Sequence, residues 1–173
     1  SNSTSNGFVI IKFDLSSSSS SEETDDLTIF MDMSSITPNC TVENNVTNGC
    51  GVHIHVGTDT CTNATAVGGH YWNPKIYGEV DPWLSVKYLS DSSGRSEDVI
   101  HMHGGDGFNA SENNHHNIIL HDASGARVAC GVLSIIEWNG DNPNVDNSSA
   151  ITTTTTVTVN STTTVTTTVY DDQ

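Results

Sequence analysis

Basic side chains are scarce: five Lys and Arg stand against 21 Asp and Glu in 173 residues, a formal net charge of −16. A chain this acidic repels phosphates and anionic headgroups over a Debye length, so neither a nucleic acid nor a membrane surface is expected as a partner. It also lacks any run of 18 or more apolar residues, so no membrane insertion and no secretory h-region is expected. Hydrophobic residues make up 34% of the chain and aromatics 6%, enough for one modest core. One domain is therefore expected over residues 1–140, followed by a polar linker and a Thr/Val-rich tail over 141–173. Helix signals are nearly missing, since apolar residues rarely recur at three-and-four spacing. A start at Ser1 is read as a processed product or one repeat of a longer protein.

Acceptor triplets Asn-x-Ser/Thr, by contrast, are many. They begin at Asn2, Asn39, Asn45, Asn63, Asn109, Asn147 and Asn160, each a candidate glycosylation site. Cys40, Cys50, Cys61 and Cys130 form an even set in a weakly hydrophobic chain, which is how small secreted folds are stapled. Four cysteines allow three pairings. Together the two features point to a secreted, extracellular or cell-surface glycoprotein.

β-branched residues dominate the ordered-looking stretches, which are bounded by Gly, Asn, Asp and Ser. Strands are expected over 7–15, 27–34, 50–56, 84–91, 98–103, 117–121 and 127–137, with a solvated Ser-rich loop over 16–26. Many short strands joined by turn clusters make an all-β fold, an antiparallel β-sandwich or flattened barrel.

The chemistry begins at Gly51-Val52-His53-Ile54-His55. On a strand the period of two sends both imidazoles to one face, where they can hold one metal. Downstream lie Cys61, the run Gly69-His70-Tyr71-Trp72-Asn73-Pro74, the apolar Ile118-Ile119-Leu120 ending in His121, and Gly125-Ala126-Arg127-Val128-Ala129-Cys130-Gly131-Val132. In that order, between about residues 49 and 133, these elements resemble the copper/zinc superoxide dismutase family.

The resemblance implies a Greek-key β-sandwich of the superoxide dismutase type. It implies copper as cofactor, held by His53, His55, His70 and His121, with His70 in the place of the metal-bridging histidine, which moves a proton in catalysis. Arg127 would stand beside the copper to guide superoxide, the substrate. Cys61 would pair with Cys130, leaving Cys40 with Cys50 as a short structural staple. The implied activity is dismutation of two superoxides to O₂ and H₂O₂.

Two departures are visible. Residues 75–90 carry no histidine, so the family's zinc site is not expected, and Glu79 or Asp81 is left to hydrogen-bond the free nitrogen of His70. Only Asp122-Ala123-Ser124-Gly125 separates His121 from the Arg127 strand, where the family has a long electrostatic loop. Both place the resemblance with the copper-only branch, including superoxide-dismutase-like repeats of cell-surface proteins. His101, His103, His115 and His116 are read as solvent-facing, and Trp72, Trp83 and Trp138 as packing residues.

The tail supports an alternative of another kind. Ile151, Val157, Val159, Val165 and Val169 all fall on odd positions, the period of a strand with one apolar face. Such a strand could fold back on its own domain or be donated to a neighbour. Donation would give a head-to-tail homo-oligomer or filament of glycosylated repeats in which the fold is structural.

Overall fold

The computed structural model describes residues 5–14, 25–137, 151–153, 155–159, 163–167 and 170–172. In chain order the elements are β1 (Asn6–Asp14), β2 (Asp26–Ser34), β3 (Val52–Thr58), α1 (Ala64–Val67), α2 (Pro74–Tyr77), a 3₁₀ turn (Pro82–Ser85), β4 (Ser96–Met102) and α3 (Ala110–Asn113). They continue with β5 (His116–His121), β6 (Arg127–Val132), β7 (Ile135–Glu137), β8 (Ile151–Thr153), β9 (Thr155–Val159), β10 (Thr163–Thr167) and β11 (Tyr170–Asp172). The protein is mostly β, with short helices of one turn.

Two main sheets form, ordered β11-β1-β2-β4 and β10-β9-β6-β5-β3, and β7 pairs with β8. Every pairing is antiparallel except β11 on β1. In the first sheet Val9, Ile11 and Phe13 stand opposite Met31, Ile29 and Leu27, and all six are buried. In the second, Val52 and Ile54 stand opposite Leu120 and Ile118, and Leu120 opposite Ala129. All of these residues belong to one hydrophobic cluster. The period of two therefore works as expected: one face of each sheet makes the core, at roughly 1.5–3 kcal/mol for each large side chain removed from water.

The expected strand over 84–91 does not form. Pro82 starts a 3₁₀ turn capped by Asp81, and the chain after it meets Gly51, the residue before β3, at an isolated bridge from Lys87. The apolar residues that suggested a strand are divided: Val86 and Tyr88 are buried, Leu84 and Leu89 exposed. The expected strand over 127–137 is broken at Leu133 and Ser134. There Leu133 turns its side chain into the core while its backbone exchanges hydrogen bonds with His115 and His116. Most of the Ser-rich loop lies outside the described residues.

In the tail, β9 lies beside β6 with Val157 opposite Gly131, β10 turns back on β9, and β11 runs along β1 from Lys12 to Asp14. The tract thus adds strands to the sheets of its own chain. Truncation after Asn147 is expected to lower the denaturation midpoint and expose the β1 and β6 edges to self-association. Size-exclusion chromatography and urea unfolding of both forms check it; equal stability and equal size would make the tract a linker only.

Candidate metal centre

His53 and His55 point to the face of β3 opposite Val52 and Ile54. That face is not open to water: both histidines are 1% exposed, and Ile119 beside them on β5 is equally buried. The cover is segment 59–88. Cys61 is joined to Cys130 on β6, and the Arg127 guanidinium donates to the carbonyls of Ala64 and Gly68. Cys40 pairs with Cys50, so both disulfides implied by the resemblance are present.

The cover also delivers the third histidine. Residues 69–71 run along the free edge of β3, with Val56 N–H donating to Gly69 C=O and Tyr71 N–H to Ile54 C=O. His70 is thereby bridged opposite His55. His121 ends β5 at a register shift and is held by its own N–H on Gly51 C=O. Imidazole centroids of His53 lie 4.3 Å from His70 and 5.0 Å from His121. Gly51 has to be glycine, because a Cβ there would overlap the His53 ring.

Each ring spends one nitrogen on an acceptor. His53 Nε2 donates to Val86 C=O at 3.0 Å, His55 Nδ1 to Gly68 C=O at 3.0 Å, His121 Nδ1 to Gly125 C=O at 2.9 Å and His70 Nδ1 to Asp81 Oδ2 at 2.7 Å. These acceptors carry no hydrogen, so the tautomers are fixed and the other nitrogen of each ring holds a lone pair. Those four atoms, Nδ1 of His53 and Nε2 of His55, His70 and His121, are buried without a protein partner. One ligand atom from each histidine lies within 4.8 Å of the others. Four converging lone pairs with no protein donor can together hold a cation. The cluster fits a metal ion, and an all-imidazole set suits the first-row transition metals as a group.

One short turn orients two of the four. Asp81 caps the 3₁₀ turn through Oδ1, which accepts Trp83 N–H at 2.9 Å, while Oδ2 takes His70. Val86, at the other end, supplies the carbonyl for His53. Trp83 is fully buried and donates Nε1–H to Tyr71 C=O at 2.6 Å, locking the turn to the residue after His70. Of the two carboxylates expected near His70, Asp81 is the partner, and Glu79 is exposed before it.

Burial, reinforced by the charges of His70 and His121, pushes the His53 pKa down to about 2. Burial likewise brings His55 down to about 3 and lowers His121. Arg127 adds to the effect at both His55 and His121, which places its charge beside the centre. His53, His55 and His121 therefore stay neutral and able to bind a cation at a lower pH than a free imidazole.

Other expected residues are scattered. His101 pairs with Thr28, His103 with Asp26 and His115 with Asp59. His116 is half-buried, stacked on Tyr71 at 3.7 Å. Asn39, Asn45, Asn63 and Asn109 are exposed; Asn63 and Asn109 cap helices through Oδ1. Asn2, Asn147, Asn160 and Trp138 lie outside the described residues, Trp83 is core, and Trp72 packs against the core. No described helix is long and apolar enough to cross a membrane.

The sequence reading missed the carbonyls of Gly68, Val86 and Gly125, which have no side-chain signature. It also missed Asp106, fully buried, whose pKa burial raises to about 7. Neither protein-family models nor curated proteins match the chain.

The metal-free protein should lose stability on acidification. His53, His55 and His121 have folded pKa values below the ordinary 6.5, so below pH 6.5 the unfolded chain binds more protons and gains. Asp106, raised from 3.8 to about 7, works in the opposite sense, binding its proton in the folded state. Three groups against one leave a net loss from about pH 6.5 to 4, on the order of 2 kcal/mol per pH unit. Melting curves across that range check it, and a flat or rising Tm on acidification contradicts it. Separately, His53→Ala should weaken Cu(II) binding by more than about 100-fold and change its paramagnetic resonance spectrum, since removing a ligand costs more than removing a ligand's partner. An unchanged spectrum would place the metal elsewhere.

Proposed function

We propose that this chain is an extracellular copper-dependent superoxide dismutase of the copper-only kind, acting without the zinc site and electrostatic loop of the wider family. The observation that carries the reading is the set of four unpartnered imidazole nitrogens with the Arg127 guanidinium beside it. The ligand spacing, both disulfides and the short Asp122–Gly125 turn support it.

His53, His55 and His121 would hold the copper from the rigid sheet and His70 from the cover. When bound, copper supplies a Cu(II)/Cu(I) couple that takes one electron from a first superoxide and returns it to a second, so 2 O₂⁻ + 2 H⁺ give O₂ + H₂O₂. His70 can hold a proton at Nε2 while Nδ1–H remains on Asp81, which pairs the imidazolium as it forms. Arg127 keeps a permanent positive charge where the anion must arrive. That matters on a chain of net charge −16, whose overall field slows an anion's approach. Two disulfides and four exposed glycosylation triplets support secretion.

A second reading, a structural repeat of a surface filament, draws on the placement of the tail strands on the outside of both sheets, β9 and β10 beyond β6 and β11 beyond β1. The same pairings made between copies would propagate head to tail.

Superoxide decay per bound copper, followed after mild purification, decides between them: fast turnover supports the enzyme, and a metal-free, inactive domain supports the scaffold. Arg127→Ala should lower the second-order rate roughly tenfold at low ionic strength, with copper affinity nearly unchanged. An unchanged rate would leave Arg127 as a clamp on Ala64 and Gly68 only.

A further inference from the structure

Two of the four histidines, His53 and His121, take their orienting carbonyls from segments that a third piece of chain grips from outside. That piece is the loop between Cys40 and Cys50, closed by their disulfide and containing no histidine. Asn44 is its hub. Asn44 Nδ2 donates to Ala123 C=O at 2.9 Å, inside the turn whose Gly125 carbonyl receives His121 Nδ1. The carbonyls of Asn44 and Gly49 accept Lys87 Nζ at 2.8 and 3.1 Å, and Lys87 directly follows Val86, whose carbonyl receives His53 Nε2.

Close packing removes the slack from these contacts. Gly125, at φ +84°, sits where a Cβ would overlap the Thr47 carbonyl, and a Cβ at Gly49 would collide with the Asn44 amide. At the loop's exit Cys50 N–H donates to Asp122 C=O, and Cys50 C=O accepts Tyr88 N–H, both at 2.9 Å. The Tyr88 hydroxyl then closes on His121 C=O at 2.8 Å.

We propose that the disulfide-closed loop 40–50 is an outer brace of the metal centre, with Asn44 and Lys87 as positioning residues that set the orientation of His121 and His53. The proposal rests on the four histidines holding a metal and not on the reaction performed there. A lone pair is directional, and a site tolerates only about 10–20° of misalignment. An ammonium shared by two carbonyls is among the stronger hydrogen-bonding devices available to fix such a segment. His55 and His70 take their acceptors from Gly68 and Asp81, so losing the brace acts first on His53 and His121.

Asn44→Ala and Lys87→Met in the full chain, loaded with Cu(II), test this by paramagnetic resonance and by competition with a chelator. Each variant is expected to keep a copper site of altered copper hyperfine coupling and to bind Cu(II) about 10- to 100-fold more weakly. Ile29→Val, in the core of the other sheet, provides a loss of thermal stability that leaves the spectrum unchanged. Where Asn44→Ala fails to fold, Lys87→Met and the paired Cys40→Ser, Cys50→Ser variant carry the same expectation. Spectra identical to the unsubstituted protein, with affinities within about twofold, overturn the brace while leaving the metal centre standing. Failure of the unsubstituted protein to bind Cu(II) overturns both.

Discussion

Four imidazole lone pairs aimed at one buried point are the constraint on which the surrounding structure depends. Each ring must donate its remaining N–H elsewhere, or a buried donor is left unpaired at a cost of about 1–3 kcal/mol. The four acceptors come from Gly68, Asp81, Val86 and Gly125, all outside the sheets. The loops are therefore as much a part of the centre as the strands that bear the ligands. Their conformations are set by the need to bring one oxygen each to a fixed place.

The division of labour is physical. β3 and β5, packed on the core through Val52, Ile54, Ile118 and Leu120, give three histidines a rigid base. Segment 59–88 brings the fourth and closes the site to water. It is held by a disulfide at one end, by Arg127 on two carbonyls in the middle, and by the buried Trp83 at the other. Burial then holds His53, His55 and His121 neutral, because an imidazolium in that enclosure loses its hydration. A cation other than a proton meets no such competition.

Electrostatics at longer range run the other way. The chain as a whole is strongly acidic, and any anion approaching the histidines would have to cross that field. Arg127 is a permanent cation whose charge is felt at His55 and His121. Its two carbonyl contacts fix where that charge sits, so one side chain serves the closure of the site and the electrostatics at its edge together.

Much of this was legible in the sequence because side-chain identity and spacing carry it. β-branched stretches bounded by turn residues marked β1, β2, β3 and β5, and His53-x-His55 on a strand already implied a shared face. The order of the remaining motifs, through resemblance, gave His70, His121 and both disulfide pairings. Tertiary structure decided what side chains do not encode. Whether Glu79 or Asp81 meets His70 depends on the 3₁₀ turn that Pro82 begins, and the apolar residues of 84–91 serve that turn and the core instead of a strand. The orienting acceptors are chiefly backbone carbonyls, which every residue possesses. Only the folding of distant segments onto the outer face of β3 and β5 selects Gly68, Val86 and Gly125 from among them.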